Sequence, residues 1–352
     1  MSAAQRVALV GYGLAGRVFH APLIAAEPGL VVAAVVTSDP QRTAQARADL
    51  PGAEVVADVA ALWQDADEYD LVVVATANVA HEPVVRSALQ YGLDVVVDKP
   101  MARDAAAAQA LVDLARAQRR QLHVFQNRRW DSDFRTLRAL AADGRLGDVH
   151  RLESRFERWR PASTGQWRES PDPDQMGGLL YDLGAHLVDQ ALQLLGPAET
   201  VYAETASQRE ASAADDDIFL ALHHTEGAIS HLWASCVAAH QGPRFRALGS
   251  QGAYVIDGLD SQEDRLQAGD RPGPAWGEEP EQTWGRLFPS GERVPTLPGA
   301  WPEYYRMVAA SLRGDGPPPV DLDGVIEAHR VLDAARASAR LGAVVPVAIP
   351  AT

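Results

Sequence analysis

Cys236 is the only cysteine in a chain of 352 residues. A lone thiol excludes any disulfide within the chain and any metal site built from several thiolates. Uninterrupted apolar runs are short, and none approaches the ~20 residues of a membrane-spanning helix. Basic residues are scarce: 32 Lys and Arg against 47 Asp and Glu leave a formal charge of -15. That deficit argues against nucleic acid, whose phosphates require a basic footprint. The first residues, "MSAAQRVALVGYG", enter a strand-like run without the charged, apolar and cleavage regions of a signal peptide. His223 and His224 are adjacent in a strand-like run, so their side chains point to opposite faces. With no Cys/His cluster elsewhere, no metal is expected. These absences predict a soluble, cytoplasmic protein without membrane or nucleic-acid partners.

The chain does hold enough apolar residues, 47 %, for an ordinary globular core. Its length predicts about two domains. Five β-branched runs, "VALV", "LVVAAVV", "LVVVAT", "LDVVV" and "LHVF", punctuate the first 125 residues, with Ala-, Arg- and Gln-rich helical segments between them. Unalternating apolar runs separated by helices predict a parallel sheet covered on both faces, the doubly wound α/β pattern. The first run leads into "GYGLAGRVFH", where Gly11, Gly13 and Gly16 form G-x-G-x-x-G with Tyr12, Leu14 and Ala15 between them. After a strand and before a helix, this spacing predicts dinucleotide binding. Gly11 allows the tight turn, Gly13 the approach of a pyrophosphate, and Gly16 close helix–strand contact. About 20 residues past the last glycine, NAD enzymes place an acid on the ribose. Here Ser38 stands first after "VVT", with Arg42 close behind. A hydroxyl and a guanidinium favour a 2′-phosphate, hence NADP. Asp39, one position on, keeps NAD open.

Further along, "GGLLYDLGAHLVDQ" sets Asp182 and His186 four residues apart in an apolar segment. On a helix that spacing puts a carboxylate and an imidazole on one face. The pair is either a cap and a core histidine or a proton-transfer site. Lys99, with the glycine loop, favours the second reading. It ends a buried strand immediately before Pro100, where an extended exit points to the crevice at the strand carboxyl ends. Oxidising an alcohol needs a base for the hydroxyl proton and a cation for the developing alkoxide. His186 suits the first task and Lys99 the second; Asp182 would orient the substrate or the histidine. Gly177 and Gly178 fit a helix start that approaches something closely. Asp189, one turn on, either steadies His186 or is a surface carboxylate.

"GYGLAG", "ATANVAH", "DKP", "QWRES" and "GGLLYDLGAHLVD", in that order, resemble the Gfo/Idh/MocA oxidoreductases over essentially the whole chain. "GYGLAGRVFHAPL", "QNRRWDSDF" and "GPRFRALGSQGAY" resemble most the branch with NADP-dependent scyllo-inositol dehydrogenases. The resemblance implies the same Lys99, Asp182 and His186 trio. It also matches Asn127, Arg128, Trp167 and Arg168 to positions near cofactor and substrate, with interdomain packing as the alternative for each. Thr76, Asn78 and His81 follow the fourth strand on the cofactor side, His81 alternatively as a helix-turn residue. Asp98 stands where the family commonly has Glu, and Ala77 where it commonly has Pro.

From Val149 on, alternation as in "VHRLESRFER" predicts a large, mainly antiparallel sheet with one buried face. A dinucleotide-binding domain over 1–125 and an α+β substrate domain over 126–352 follow. The resemblance implies a homo-oligomer formed through that sheet. Residues 259–300 read as a long aperiodic loop, and 321–342 as an amphipathic helix. The function expected is an NADP-dependent (alternatively NAD-dependent) dehydrogenase of a cyclic polyol or sugar, inositol-type first and aldose second. A non-catalytic cofactor-binding regulator and NAD-assisted glycoside hydrolysis are the readings of other classes.

Overall fold

A computed structural model describes residues 4–170, 172–209 and 214–347. The chain divides into two compact units. The first holds six parallel strands: β1 (Gln5–Val10), β2 (Leu30–Val36), β3 (Glu54–Val56), β4 (Leu71–Val74), β5 (Asp94–Asp98) and β6 (Leu122–Phe125). Their order is β3-β2-β1-β4-β5-β6, the doubly wound arrangement expected. Leu71–Val74 and Val95–Val97 are fully buried, as strands covered on both faces must be. Helices are punctuated by aspartates: Asp39, Asp58 and Asp104 each accept a backbone N–H three residues on, at 2.8 Å. The five apolar runs all became strands. The short edge strand β3 was not among them, having only three residues of pattern.

A single cut at 125/126 does not describe this unit. It runs to Asn127 and regains Ser261–Trp276 and Ala300–Leu322. The reason is aromatic burial. Helix Trp301–Leu312 brings Trp301, Tyr304 and Tyr305, all fully buried. Tyr304 meets Phe125 edge-on at 4.9 Å, and Trp301 meets Phe19 at 5.7 Å. Burying such rings is worth roughly 4–6 kcal/mol each. Gln262 joins the two returning segments, its Oε1 accepting Trp276 Nε1–H and Trp301 N–H, both at 2.8 Å. The stretch 259–300 is therefore no simple loop. It holds helix Gln262–Gln267 and two short strands, which its glycines and prolines conceal.

The second unit is built on nine strands: β7 (Val149–Glu157), β8 (Ala198–Ala206), β9 (Asp217–His224), β10 (Ile229–Ser235), β11 (Phe245–Gly249), β12 (Ala253–Ile256), β13 (Arg286–Phe288), β14 (Glu292–Arg293) and β15 (Val345–Pro346). They lie in the order β14-β13-β12-β11-β7-β10-β9-β8-β15, antiparallel except for β7 beside β10. Leu152 and Phe156 of β7, Leu220 and Leu222 of β9 and Leu232 of β10 alternate inward. They join Phe134, Leu187, Val188, Val331 and Ala335 from helices Ser132–Ala142, Ala185–Leu195 and Leu322–Leu341 in one core.

Four arginines are buried in that unit: Arg128, Arg129, Arg209 and Arg244. Arg129 forms a forked pair with Asp189, at 2.9 and 2.6 Å. Arg128 lies 3.4 Å from Asp131. Arg244 sits 3.9 Å from the ring centres of both Phe156 and Phe245. It donates to Ser154 Oγ at 2.6 Å and Gln190 Oε1 at 2.7 Å, with Asp133 at 3.2 Å. Burial pushes the Asp133 carboxyl up to about 6, against the pull of Arg244. Gln190 also donates to the Arg128 carbonyl at 2.9 Å, so Asp189 and Gln190 pin the helix that carries His186. Removing one partner of a buried pair leaves an unanswered charge, which costs about 3–5 kcal/mol. Asp189→Ala should therefore lose stability of that order in urea unfolding followed by circular dichroism; a change within experimental error would show the pair to be dispensable.

Candidate active site

In the first unit, the residues expected to hold a dinucleotide lie on loops that leave the carboxyl edges of adjacent strands. Gly11–Gly16 follow β1, Ser38 follows β2, Thr76 and Asn78 follow β4, Lys99 and Pro100 follow β5, and Asn127 follows β6. Strand order reverses between β1 and β4, and such a switch point is where open parallel sheets bind ligands. The three glycines differ physically. Gly11 has φ +99°, and a Cβ there would lie 2.5 Å from the Ala75 carbonyl oxygen. A Cβ on Gly16 would stand 2.0 Å from the Gly11 carbonyl oxygen. Gly13 alone faces space: within 4 Å a Cβ would meet only the Arg42 guanidinium, at 3.8 Å. The fold thus fills two glycine positions and leaves the middle one open as a cradle, with a helix N-terminus directly behind it at Leu14. That helix starts with a widened π-type turn, Leu14–His20, in which Ala21 N–H reaches back to the Gly16 carbonyl.

The neighbours refine the expectation. Tyr12 is buried and its hydroxyl donates to Asp49 at 3.2 Å, so its backbone N–H is what it can offer a phosphate. Leu14 is exposed and Ala15 half-buried beside the cradle. Ser38 and Arg42 are exposed, while Asp39 accepts Arg42 N–H at 2.8 Å as a helix cap. Ala77 holds φ -67°, the value a proline ring would fix, with ψ 148° in the region proline also adopts, so the departure at that position leaves the turn intact.

Two buried histidines brace the turns on either side of Lys99. His81 has no exposed surface; its Nδ1 lies 2.8 Å from the Pro100 carbonyl and its Nε2 3.3 Å from that of Thr76. Burial lowers its pKa. It therefore serves the site by joining the loops after β4 and β5. His20, which sequence reasoning passed over, sits between Tyr305 Oη at 2.6 Å and Asp98 Oδ1 at 3.0 Å. Burial would raise the Asp98 carboxyl, but the His20 ring beside it holds it below its ordinary value. The only signal for this was a histidine in the apolar "VFHAPL". Lys99 follows, half-buried, with a cis peptide to Pro100.

In the second unit, Asp182 and Arg168 line one cavity with Arg158, Arg160 and Arg209. Trp167 lies under Arg168, whose guanidinium stands 4.6 Å from the ring centre. Gly178 has φ +91°, and a Cβ there would meet the Asp215 carboxylate at 2.1 Å; one on Gly177 would meet the Ser170 carbonyl at 2.8 Å. The close approach expected of both is thus to this unit's own chain. Burial pushes Asp215 up to about 6. Asp182 lies in a widened turn, Leu180–Gly184, which runs into helix Ala185–Leu195. His186 is buried on that helix, its ring 6.4 Å from that of Phe156, and is not among the lining residues of the cavity. Asp189 is neither a surface carboxylate nor aimed at the histidine, since Arg129 takes both its oxygens. Arg128 is likewise buried beside Asp131. The run of arginines Arg155, Arg158, Arg160 and Arg168 was visible in the sequence but, apart from Arg168, was not read as a site.

Comparison with known proteins agrees with this anatomy. Residues 5–126 match a model described as an oxidoreductase family with an NAD-binding Rossmann fold, and 134–255 one described as the GFO/IDH/MocA C-terminal domain. The chain belongs to the Gfo/Idh/MocA family. YdgJ of Escherichia coli (strain K12), an uncharacterized oxidoreductase, is 38 % identical across 97 % of this chain and 98 % of its own. The scyllo-inositol 2-dehydrogenase (NADP(+)) IolW of Bacillus subtilis (strain 168) is 32 % identical, across 95 % and 94 %. The solved structure of YPO2259 from Yersinia pestis superposes with a TM-score of 0.91 at 38 % identity, over 100 % of this chain and 99 % of that one. This Gfo/Idh/MocA protein is an oxidoreductase that binds a nicotinamide dinucleotide, and no helix among its described residues is long and apolar enough to cross a membrane.

The glycine geometry separates folding from binding. Gly13→Ala should melt like the parent, because its methyl group meets only a flexible guanidinium, yet bind dinucleotide at least about tenfold more weakly. Gly16→Ala should lower the melting temperature, because its Cβ overlaps backbone. Calorimetric melts and fluorescence titration with dinucleotide test both; undiminished affinity in Gly13→Ala would show that the pyrophosphate does not cross there.

Proposed function

We propose that this protein is an NADP-preferring dehydrogenase of a secondary or anomeric alcohol on a cyclic polyol or sugar. The observation that carries it is Lys99 at the carboxyl end of β5, on the sheet edge where Gly13 is left open. The bound nicotinamide would accept or return the hydride. Gly11–Gly16 would take the pyrophosphate, and Ser38 with Arg42 the 2′-phosphate. The Arg42 guanidinium beside Gly13, together with an Asp39 occupied as a cap, supports NADP over NAD. The relationship to IolW, an NADP-dependent inositol dehydrogenase, supports both cofactor and substrate class.

In this reading His186 removes the hydroxyl proton, Lys99 holds the oxygen as it becomes negative, and Asp182 orients the neighbouring hydroxyls. The Phe156 ring lies beside that of His186, with centres 6.4 Å apart. Asn78, Asn127 and Trp167 contribute to binding of cofactor or substrate. The half-exposed face of the nine-stranded sheet, with Phe219, His231 and Trp233 in ring contact, would pair subunits in a homo-oligomer.

Initial rates of reduced-cofactor formation with scyllo-inositol, myo-inositol and D-glucose, each with NAD and NADP, test the reading. His186→Ala and Lys99→Ala should each lose about 10²–10⁴ in kcat. Turnover that survives both substitutions would remove these residues from the chemistry. Separately, Arg42→Ala should lower kcat/KM for NADP by at least about tenfold and leave that for NAD unchanged. Equal effects on the two would put Arg42 at the shared pyrophosphate and end the argument for NADP.

A further inference from the structure

We propose that the cavity beside Asp182 binds an acidic group of the substrate, a carboxylate or a phosphate monoester. The inference rests on the dehydrogenase reading above and narrows it from a neutral polyol to a sugar acid or a sugar phosphate. Arg158 and Arg160 leave the end of β7, and Arg168 stands on the turn Trp167–Glu169; all three line the cavity with Asp182. Arg209 lines it too, but its charge is already answered, by Glu169 at 2.7 Å and Asp216 at 2.9 Å. Glu169 is in turn saturated. Its carboxylate accepts from Ser163 Oγ–H, Thr164 N–H and Gly165 N–H as well as from Arg209. Burial would raise that carboxyl; these bonds instead pull it down to about 2.

The other three arginines are in a different position. Among the described residues no ion pair uses Arg158, Arg160 or Arg168. The fields of Arg209, Arg158 and Arg160 converge on Cys236 in the same cavity, where they oppose the upward push of burial on the thiol. In a chain of net charge -15, three unanswered guanidiniums within eleven residues are an exception. Guanidinium forks match carboxylate and phosphate oxygens two at a time. A neutral polyol seated against them can accept from their N–H groups but brings no opposite charge. An anion relieves their mutual repulsion.

The test is calorimetric titration of the NADP-loaded enzyme with D-glucuronate, glucose 6-phosphate and D-glucose. At least one acidic ligand should bind about tenfold or more tightly than glucose, and Arg158→Gln and Arg168→Gln should each remove about tenfold of that affinity. Preference between glucuronate and the phosphate tells which acid the cavity takes. Circular dichroism checks that the variants are folded, and Arg160→Gln, at an exposed position, serves if either is not. Acidic ligands that bind no better than glucose, or bind equally to the variants, overturn the inference. Rates with the same compounds keep the two readings apart. Acids bound through the arginines but never oxidised would count against the dehydrogenase and leave the cavity assigned. Turnover of neutral polyols alone, indifferent to the arginine substitutions, would leave the dehydrogenase standing and remove the acid from its substrate.

Discussion

The guanidiniums of Arg128, Arg129 and Arg244, almost wholly removed from water, dictate much of the second unit. Taking an ion out of water costs several kcal/mol even after relaxation, so each must find a carboxylate and further hydrogen bonds. Arg129 finds Asp189, Arg128 finds Asp131, and Arg244 finds Asp133, Ser154 and Gln190 between two phenylalanine rings. These partners come from helix Ser132–Ala142, strands β7 and β11 and helix Ala185–Leu195. The charges therefore fix how those elements meet more sharply than apolar contact, which tolerates sliding. His186, on the last of these helices, inherits its place from residues with no chemistry of their own.

The first unit solves its problem with backbone instead of charge. Its dinucleotide cradle is a difference between glycines: two are pressed against carbonyl oxygens and one is left open. That difference was legible in the sequence because G-x-G-x-x-G after a strand is local. So were the five long strands and the DxxxH segment. What could not be read spans distance. Asp98 meets His20 across 78 positions, Tyr305 meets His20 across 285, and Arg129 meets Asp189 across 60. No window of sequence holds both members of such pairs. Residues 259–300 hid their elements for another reason: Gly and Pro break every period by which a short helix or strand is recognised.

The departures from the family pattern look different once the partners are seen. Asp98 in place of Glu places its shorter carboxylate against His20, which Tyr305 holds from the far side. The strand end that precedes Lys99 is thereby tied to the helix of the glycine loop and to helix Trp301–Leu312. His81 ties the turn that follows Lys99 to the loop after β4. A lysine held on both flanks keeps its direction without needing a rigid side chain.

That first unit is assembled from three separate stretches of chain, the last ending at Leu322. During synthesis its nucleotide-binding half therefore emerges long before it can be finished. Until Trp301, Tyr304 and Tyr305 leave the ribosome, Phe19 and Phe125 lack their ring partners and His20 lacks its hydroxyl. The second unit's central strands are made in that interval. The early sheet must wait, incomplete and with an apolar flank uncovered, until the chain has nearly all been made.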